Sequence, residues 1–340
     1  MPTLRSPAFI SVTGSSANAP HGSTAAPAAP DSSYHLLRTS LPCPPIFNEE
    51  FTRRRRLGHD TRPTRTESTM TASFRDRIGI DIGRKLRLED AIAWAATNGV
   101  GIIDVQLDTG ENVFTSFDAT RARGIRAACD KHGIELGLHT LSAVNVAEYA
   151  PLVGEAVDAY LKAYVDAAVQ LGAGWVVVHA GFHFTDDIVM RMRVGLDRLQ
   201  RAVAYAETKG ALLLLENLNK EPTDAEIHYL AHTVDEWRYY YDRIESPAFA
   251  LSFTANHAHL VPEGVEGFLA EIPLHRVKEV RLADCFRHGI EQHLPPGKGD
   301  FDFPSLFQAL ESRGYTGHYT NAFGSLDDML LARERFATMA

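Results

Sequence analysis

Cysteine is scarce in this 340-residue chain: Cys43, Cys129 and Cys285 are odd in number, far apart and in no CxxC pair. That excludes a disulfide framework and a structural zinc knuckle, and it fits a reducing, cytoplasmic setting. Long apolar runs are also missing. Trp175–Val178 and Ala211–Leu215 fall far short of the ~20 residues a membrane helix requires, so no bilayer span is expected. Basic charge is in deficit, with 34 Lys+Arg against 43 Asp+Glu and a net charge of −9. The first 69 residues carry eight Arg and five acids, a net of +3, which leaves −12 on the residues from Met70 onward. A body this acidic repels a phosphate backbone, so nucleic acid is not an expected partner. The hydrophobic share of 45% and charged share of 23% are those of a globular protein.

Residues 1–69 are rich in Ser, Thr, Ala and Pro, show no sustained apolar period and include the run Arg53-Arg54-Arg55-Arg56. Such a segment buries too little apolar surface to offset its chain entropy, and it is expected to be a disordered N-terminal extension. The folded part is expected over residues 76–338. There, short Val/Ile/Leu-rich runs alternate with longer stretches of helical spacing. The runs are Ile78–Ile82, Gly101–Gln106, Ile134–His139, Trp175–His179, Leu212–Glu216, Phe249–Phe253, Val277–Leu282 and His318–Thr320. The helical stretches that follow them are Leu88–Ala96, Ala119–His132, Val153–Leu171, Asp186–Lys209, Val234–Arg243, Val265–Ala270, Phe303–Ser312 and Leu326–Met339. Fully apolar strands alternating with helices mark a parallel sheet covered on its outer face. Eight units in about 265 residues match a single α/β domain of the (β/α)8 TIM-barrel kind. A doubly wound open sheet would show a glycine-rich phosphate loop after the first strand, where this chain reads Asp81-Ile82-Gly83-Arg84-Lys85.

Active sites of such barrels lie at the carboxyl ends of the strands, so the polar residues closing each apolar run are the informative ones. In order they are Asp104, Gln106, His139, His179, His183, Glu216, Asn217, Asn219, His257, His259, Asp284, His293 and Asn321. Glu216 ends the run Leu212-Leu213-Leu214-Leu215, where an ionised carboxylate is costly unless a cation or donor meets it. His139, His179 and Glu216 close three successive strands and make a two-histidine, one-carboxylate set able to share one divalent ion. Asp284 and the loop to Asp302, with Glu291, His293 and Pro295-Pro296-Gly297-Lys298-Gly299, form a tight segment able to place a charged side chain at the mouth.

The runs Val178-His179-Ala180-Gly181, Leu215-Glu216-Asn217-Leu218, Asn256-His257-Ala258 and His293–Phe303 resemble the xylose isomerase-like TIM-barrel superfamily. The resemblance runs from about Ile78 to Phe336. This group includes sugar phosphate isomerases/epimerases, ketose 3-epimerases, inosose and dehydroshikimate dehydratases and zinc-dependent apurinic endonucleases. In its epimerases a Mn²⁺ or Mg²⁺ ion is held by a Glu, an Asp, a His and a Glu on strands five to eight. Glu216 takes the first place here, but Thr254, Arg281 and Asn321 stand at the other three, so the standard four-ligand site is degenerate.

His139, His179 and Glu216 instead match a neighbouring metal site of the endonuclease branch, where the ion is Zn²⁺. The resemblance implies two arrangements. In one, a divalent metal sits on His139, His179 and Glu216. In the other the action is metal-independent: Glu216 is the base, His257 or Asp284 the partner acid, and Arg281 a fixed charge in place of the ion. His139, His179, Asn217, His293 and Asn321 are then the substrate contacts. The expected activity is that of an isomerase or epimerase on a small carbohydrate-like substrate, by proton abstraction next to a carbonyl. The alternatives are a dehydratase (lyase) on a related keto-polyol and a catalytically silent sugar-binding barrel; a homo-oligomer is compatible with each.

Overall fold

The computed structural model describes residues 73–184 and 187–339. The expectations for residues 1–69, the arginine run, Cys43 and the start of the fourth helical stretch at Asp186 lie outside these residues. Eight parallel strands close into a barrel. They are β1 (Ile78–Gly83), β2 (Ile102–Val105), β3 (Glu135–His139), β4 (Trp175–Val178), β6 (Leu213–Glu216), β8 (Phe249–Thr254), β9 (Val277–Leu282) and β10 (His318–Asn321). β10 pairs back onto β1 through Ile78↔Tyr319, Gly79↔Thr320 and Ile80↔Asn321, which closes the ring. The eightfold count read from the apolar runs is the observed one.

The helices follow from local signals at their ends. α2 (Ala119–His132) starts where the Asp118 carboxylate accepts from the amides of Thr120 and Arg121, and it stops at Gly133, whose φ of 65° is the left-handed turn glycine permits. α9 (Leu326–Phe336) opens with a reciprocal Ser325–Asp328 capping box. α1 (Leu88–Thr97), α3 (Pro151–Leu171), α4 (Ile188–Lys209), α5 (Val234–Tyr241), α7 (Gly264–Glu271) and α8 (Phe303–Glu311) complete the outer ring. Their apolar faces and the outward side chains of the strands form one continuous core, with Ile78, Ile80, Ile82, Leu199 and Phe307 fully buried. Inside the barrel a smaller cluster of Ile102, Trp175, Val177, Leu214 and Ala250 packs the lower half. A side chain at Gly137 would place its Cβ 2.3 Å from the Trp175 ring, so the indole fits there because Gly137 presents none.

Two elements were not expected from the periodicity. Residues Phe182–His183 (β5) and His228–Tyr229 (β7) form a short antiparallel ribbon over the carboxyl end of the barrel. After β8 the chain turns at once into α6 (Ala255–His259), so Asn256 and His257 sit on a single helical turn rather than on the strand.

Candidate active site

Strand ends and loops place seven of the thirteen polar residues that close the apolar runs around one cavity of about 170 Å³: Gln106, His139, His179, Asn219, Glu216, His257 and His293. Asp81, Thr254, Asn256, Arg281 and Glu291 share its walls.

On one side, β3, β4 and β6 bring His139, His179 and Glu216 together. The two imidazole Nε2 atoms lie 3.1 Å apart, and each lies 3.1–3.2 Å from Glu216 Oε2. The other carboxylate oxygen, Oε1, accepts from the Thr254 hydroxyl. Thr140 Oγ1 lies 3.2 Å from His179 Nδ1, and Asp104 Oδ2 lies 3.7 Å from His139 Nδ1. Burial works to raise the Glu216 pKa, but the hydrogen bonds from His139 and His179 outweigh it and hold the carboxyl well below the usual range. Burial and the Arg281 charge oppose protonation of His139; Asp104 and Glu216 overcome them and push it up to about 10. Burial keeps His179 neutral by lowering its pKa.

Three ligand atoms in mutual contact form a triangle that hydrogen bonds alone satisfy poorly. Protons on both Nε2 atoms would clash across the 3.1 Å gap, and a proton on one leaves a lone pair facing the carboxylate. A central cation removes the conflict. Metal–ligand bonds of about 2.0–2.2 Å make neighbouring ligand atoms roughly 2.8–3.6 Å apart in octahedral or tetrahedral geometry, which brackets the observed edges. The donor set therefore fits a divalent ion.

Across the cavity stands a second group, His257, Glu291 and His293. Glu291 Oε1 accepts from His257 Nε2 at 3.0 Å and from His293 Nε2 at 2.7 Å. Each ring fixes its other nitrogen on a backbone carbonyl, His257 Nδ1 on Asn217 at 2.8 Å and His293 Nδ1 on Ala322 at 2.7 Å. Carbonyl oxygens only accept, so both Nδ1 atoms carry protons and both Nε2 atoms face the carboxylate. Burial disfavours the charged ring of His257, but the Glu291 carboxylate prevails and raises its pKa. Glu291 is held low by the two imidazoles against the effect of burial. Its Oε2 makes no hydrogen bond among the described residues. These three side chains also offer ligand atoms close enough for an ion, although ordinary hydrogen bonds already satisfy their contacts.

Arg281, on β9, lines the same cavity. Its NH1 donates to Asp104 Oδ2 at 2.6 Å and Glu279 Oε1 at 3.1 Å, and its NH2 to Asp81 Oδ2 at 2.9 Å. Burial opposes the charge, and Asp104, Glu279 and Asp81 outweigh it, so Arg281 stays protonated. Burial and Asp104 push the Asp81 pKa up, while Arg281 works the other way. Arg281, expected in one of the two arrangements as a fixed charge in place of the ion, has that charge already answered by three carboxylates.

Asp284, Asn217 and Asn321 depart from their expected places. Asp284 is not among the cavity-lining residues; its Oδ2 accepts from the amides of Gly297, Lys298 and Gly299 and its Oδ1 from Phe301, so it anchors the loop rather than facing a substrate. Asn217 bonds both backbone groups of Thr254 and ties β6 to β8. Asn321 donates to Met329 O on α9, behind the barrel wall. His183 stacks on His228 in the ribbon, and His259 pairs with Asp300. Glu291, noted in the sequence only as a loop residue, and Asp81, inside Ile80-Asp81-Ile82, were passed over; an acid in an apolar strand was the available signal for the second.

The model of the xylose isomerase-like TIM barrel family matches residues 92–325. Among solved structures, a D-tagatose 3-epimerase-like protein superposes with a TM-score of 0.67 at 18% identity, over 77% of this chain and 96% of the other. The D-psicose 3-epimerase of Clostridium cellulolyticum H10 gives 0.62 at 15% identity, over 77% and 96%. The 3-keto-D-glucoside 4-epimerase of E. coli gives 0.61 at 14%, over 77% and 98%. These likenesses establish the fold. No curated protein matches the chain. Among the described residues, no helix is long and apolar enough to cross a membrane.

Proposed function

The chain belongs to the xylose isomerase-like TIM barrel family, and from that premise we propose that it is an isomerase or epimerase of a small polyhydroxylated carbonyl compound. The reaction is removal and return of the proton on the carbon beside the carbonyl. One observation supports this reading: a cavity of about 170 Å³ has a His–His–Glu triplet spaced to hold a cation on one wall and a carboxylate shared by two imidazoles on the other. Proton abstraction next to a carbonyl calls for an electrophile at the oxygen and a base at the carbon.

His139, His179 and Glu216 would hold a divalent ion, which when bound supplies Lewis acidity to a carbonyl or hydroxyl oxygen. Thr254 and Thr140 orient Glu216 and the His179 ring. Both oxygens of Glu216 are engaged, so the base role expected of it passes to Glu291, whose Oε2 is open and whose carboxylate is ionised at neutral pH. His257, kept protonated by Glu291, is the partner acid. Asp104 and Asp81 hold Arg281 beside the cavity, where its role is to fix the carboxylates that surround it.

The test follows deuterium from solvent into free ketoses, D-tagatose and D-fructose among them, with protein loaded with Mn²⁺ or Zn²⁺. Incorporation at a carbon next to the carbonyl, with no loss of water, is expected. Glu291→Gln should slow exchange by about 10²-fold or more, the scale of a lost acid–base group, with bound metal unchanged. Glu216→Gln should instead lose metal, to below about 0.1 ion per chain by elemental analysis. Loss of water from the substrate would move the protein to the lyases, and absence of exchange on every ketose tried would sink the reading.

A further inference from the structure

Four buried polar atoms around this site have no hydrogen-bond partner: Asp81 Oδ1, Asn256 Nδ2, His139 Nδ1 and Asp104 Oδ1. His139 Nδ1 lies 3.7 Å from the Asp104 carboxylate, and Asp104 does not line the cavity, which leaves Asp81 and Asn256 as the two that face it with no such neighbour. Asp81 gives Oδ2 to Arg281, while its buried Oδ1 has no hydrogen-bond partner. Asn256 is 1% exposed, and its Nδ2 likewise has none. Both line the cavity, one from β1 and the other from α6. A buried acceptor and a buried donor left unpaired are costly, so their usual explanation is a partner that enters with solvent or ligand. Arg281 uses three of its five N–H groups on the acids and makes no other hydrogen bond among the described residues.

Charge narrows the class of partner further. The walls carry Asp81, Glu216 and Glu291, with Asp104 and Glu279 directly bonded to Arg281, and Arg281 is the one Arg or Lys among the described residues lining the cavity. A phosphate normally calls for several Lys or Arg donors or a cluster of free backbone amides. Here carboxylates outnumber the cations. An ion on the histidine triplet would be answered by Glu216 and Asp104. At about 30 Å³ per water, the cavity of about 170 Å³ has room for roughly five or six waters, the scale of one small polyol.

We propose that Asp81 and Asn256 are the specificity-determining contacts of this site, Asp81 Oδ1 accepting one substrate hydroxyl and Asn256 Nδ2 donating to another oxygen, and that they select an uncharged ketose over its phosphate ester. The inference rests on the function proposed above only for the ligand being a polyhydroxylated carbonyl compound. Asp81→Asn keeps the side-chain shape and an acceptor for Arg281 but turns the free oxygen into a donor. Asn256→Ala removes the donor.

Calorimetric titration of the full chain with D-tagatose, D-psicose, D-fructose and D-fructose 6-phosphate tests this. At least one free ketose should bind at least about tenfold more tightly than the phosphate, and each variant should weaken it at least about tenfold, since a site built to bond a hydroxyl rejects its mismatch strongly. Deoxy analogues of the ketose that binds, titrated into unmodified protein, give a check that needs no variant: at least one should lose about tenfold or more. Tighter binding of the phosphate overturns the substrate class. Unchanged binding by both variants, or equal binding of all deoxy analogues, overturns the residue assignment, and the proposed function stands if deuterium exchange is still seen. If no ketose binds and no exchange occurs, both fall together.

Discussion

His257 keeps its proton because one ring nitrogen faces a carbonyl and the other a carboxylate, and both arrangements favour the charged ring. The pH consequence follows from the sign of that shift. A histidine raised in the folded state lends stability that is complete below the unfolded value of about 6.5 and is lost as pH rises through the folded value. The lowered Glu291 lends stability that is complete above about pH 4.3 and is lost as pH falls. The Tm difference between the wild type and Glu291→Gln should therefore be greatest between about pH 5 and 6.5 and shrink towards pH 9. A flat difference across thermal melts in that range would contradict the charge pairing. At this scale the sequence was informative where a polar side chain ended an apolar run, as with His139, His179 and Glu216. It was less so for Asn321, because a strand's side chains alternate and the residue's outward placement depends on register. Glu291 escaped because its partner His257 comes from a distant stretch of chain, and its neighbour His293 is held in place by the carbonyl of the equally distant Ala322.

The segment from Asp284 to Asp302 shows an element whose order depends on one carboxylate. Four amides converge on Asp284, and Asp284 and Leu294 exchange backbone hydrogen bonds at 2.9 Å in each direction. Gly299 is required there, since a Cβ would lie 2.3 Å from Cys285 O. Replacing Asp284 by Ala should cost about 3 kcal/mol in urea unfolding, because four amides, one buried and three partly buried, lose their acceptor at once. Asp284→Asn, which keeps one acceptor oxygen, should cost less than half as much. Equal losses for the two variants would contradict a hydrogen-bonding role. The barrel strands were legible as elements because most are short runs rich in Val, Ile and Leu, each followed by a stretch of helical spacing. The ribbon of β5 and β7 and the single turn of α6 were not, since two to five residues carry no period. α6 nevertheless sets the position of Asn256 and His257, so part of the site depended on an element below the resolution of sequence patterning.

Taken whole, the barrel departs from the usual apolar filling along its axis. Glu279, fully buried, accepts from Ser252, Thr320 and Arg281, and burial is overruled by Arg281, bringing its pKa down to about 2. Below it His318 stacks on Trp175 with ring centroids 4.3 Å apart. Glu279 and Arg281 are two apart on β9 and so share the inward face, a spacing visible in the sequence, whereas their union with Asp81 and Asp104 required the closed ring. Arg281→Met should lower unfolding stability by about 3–5 kcal/mol, since it strands buried carboxylates. Adding Asp104→Asn to that variant should recover at least about 1 kcal/mol, and strict additivity in the double-mutant cycle would refute the coupling. This interlock also bears on how the sequence can change. Losing the arginine alone strands its acids, and losing an acid alone leaves the others to carry the guanidinium. Replacing Arg281 alone by histidine therefore costs stability that a simultaneous change of its acids would recover, so the axial quartet behaves as one block.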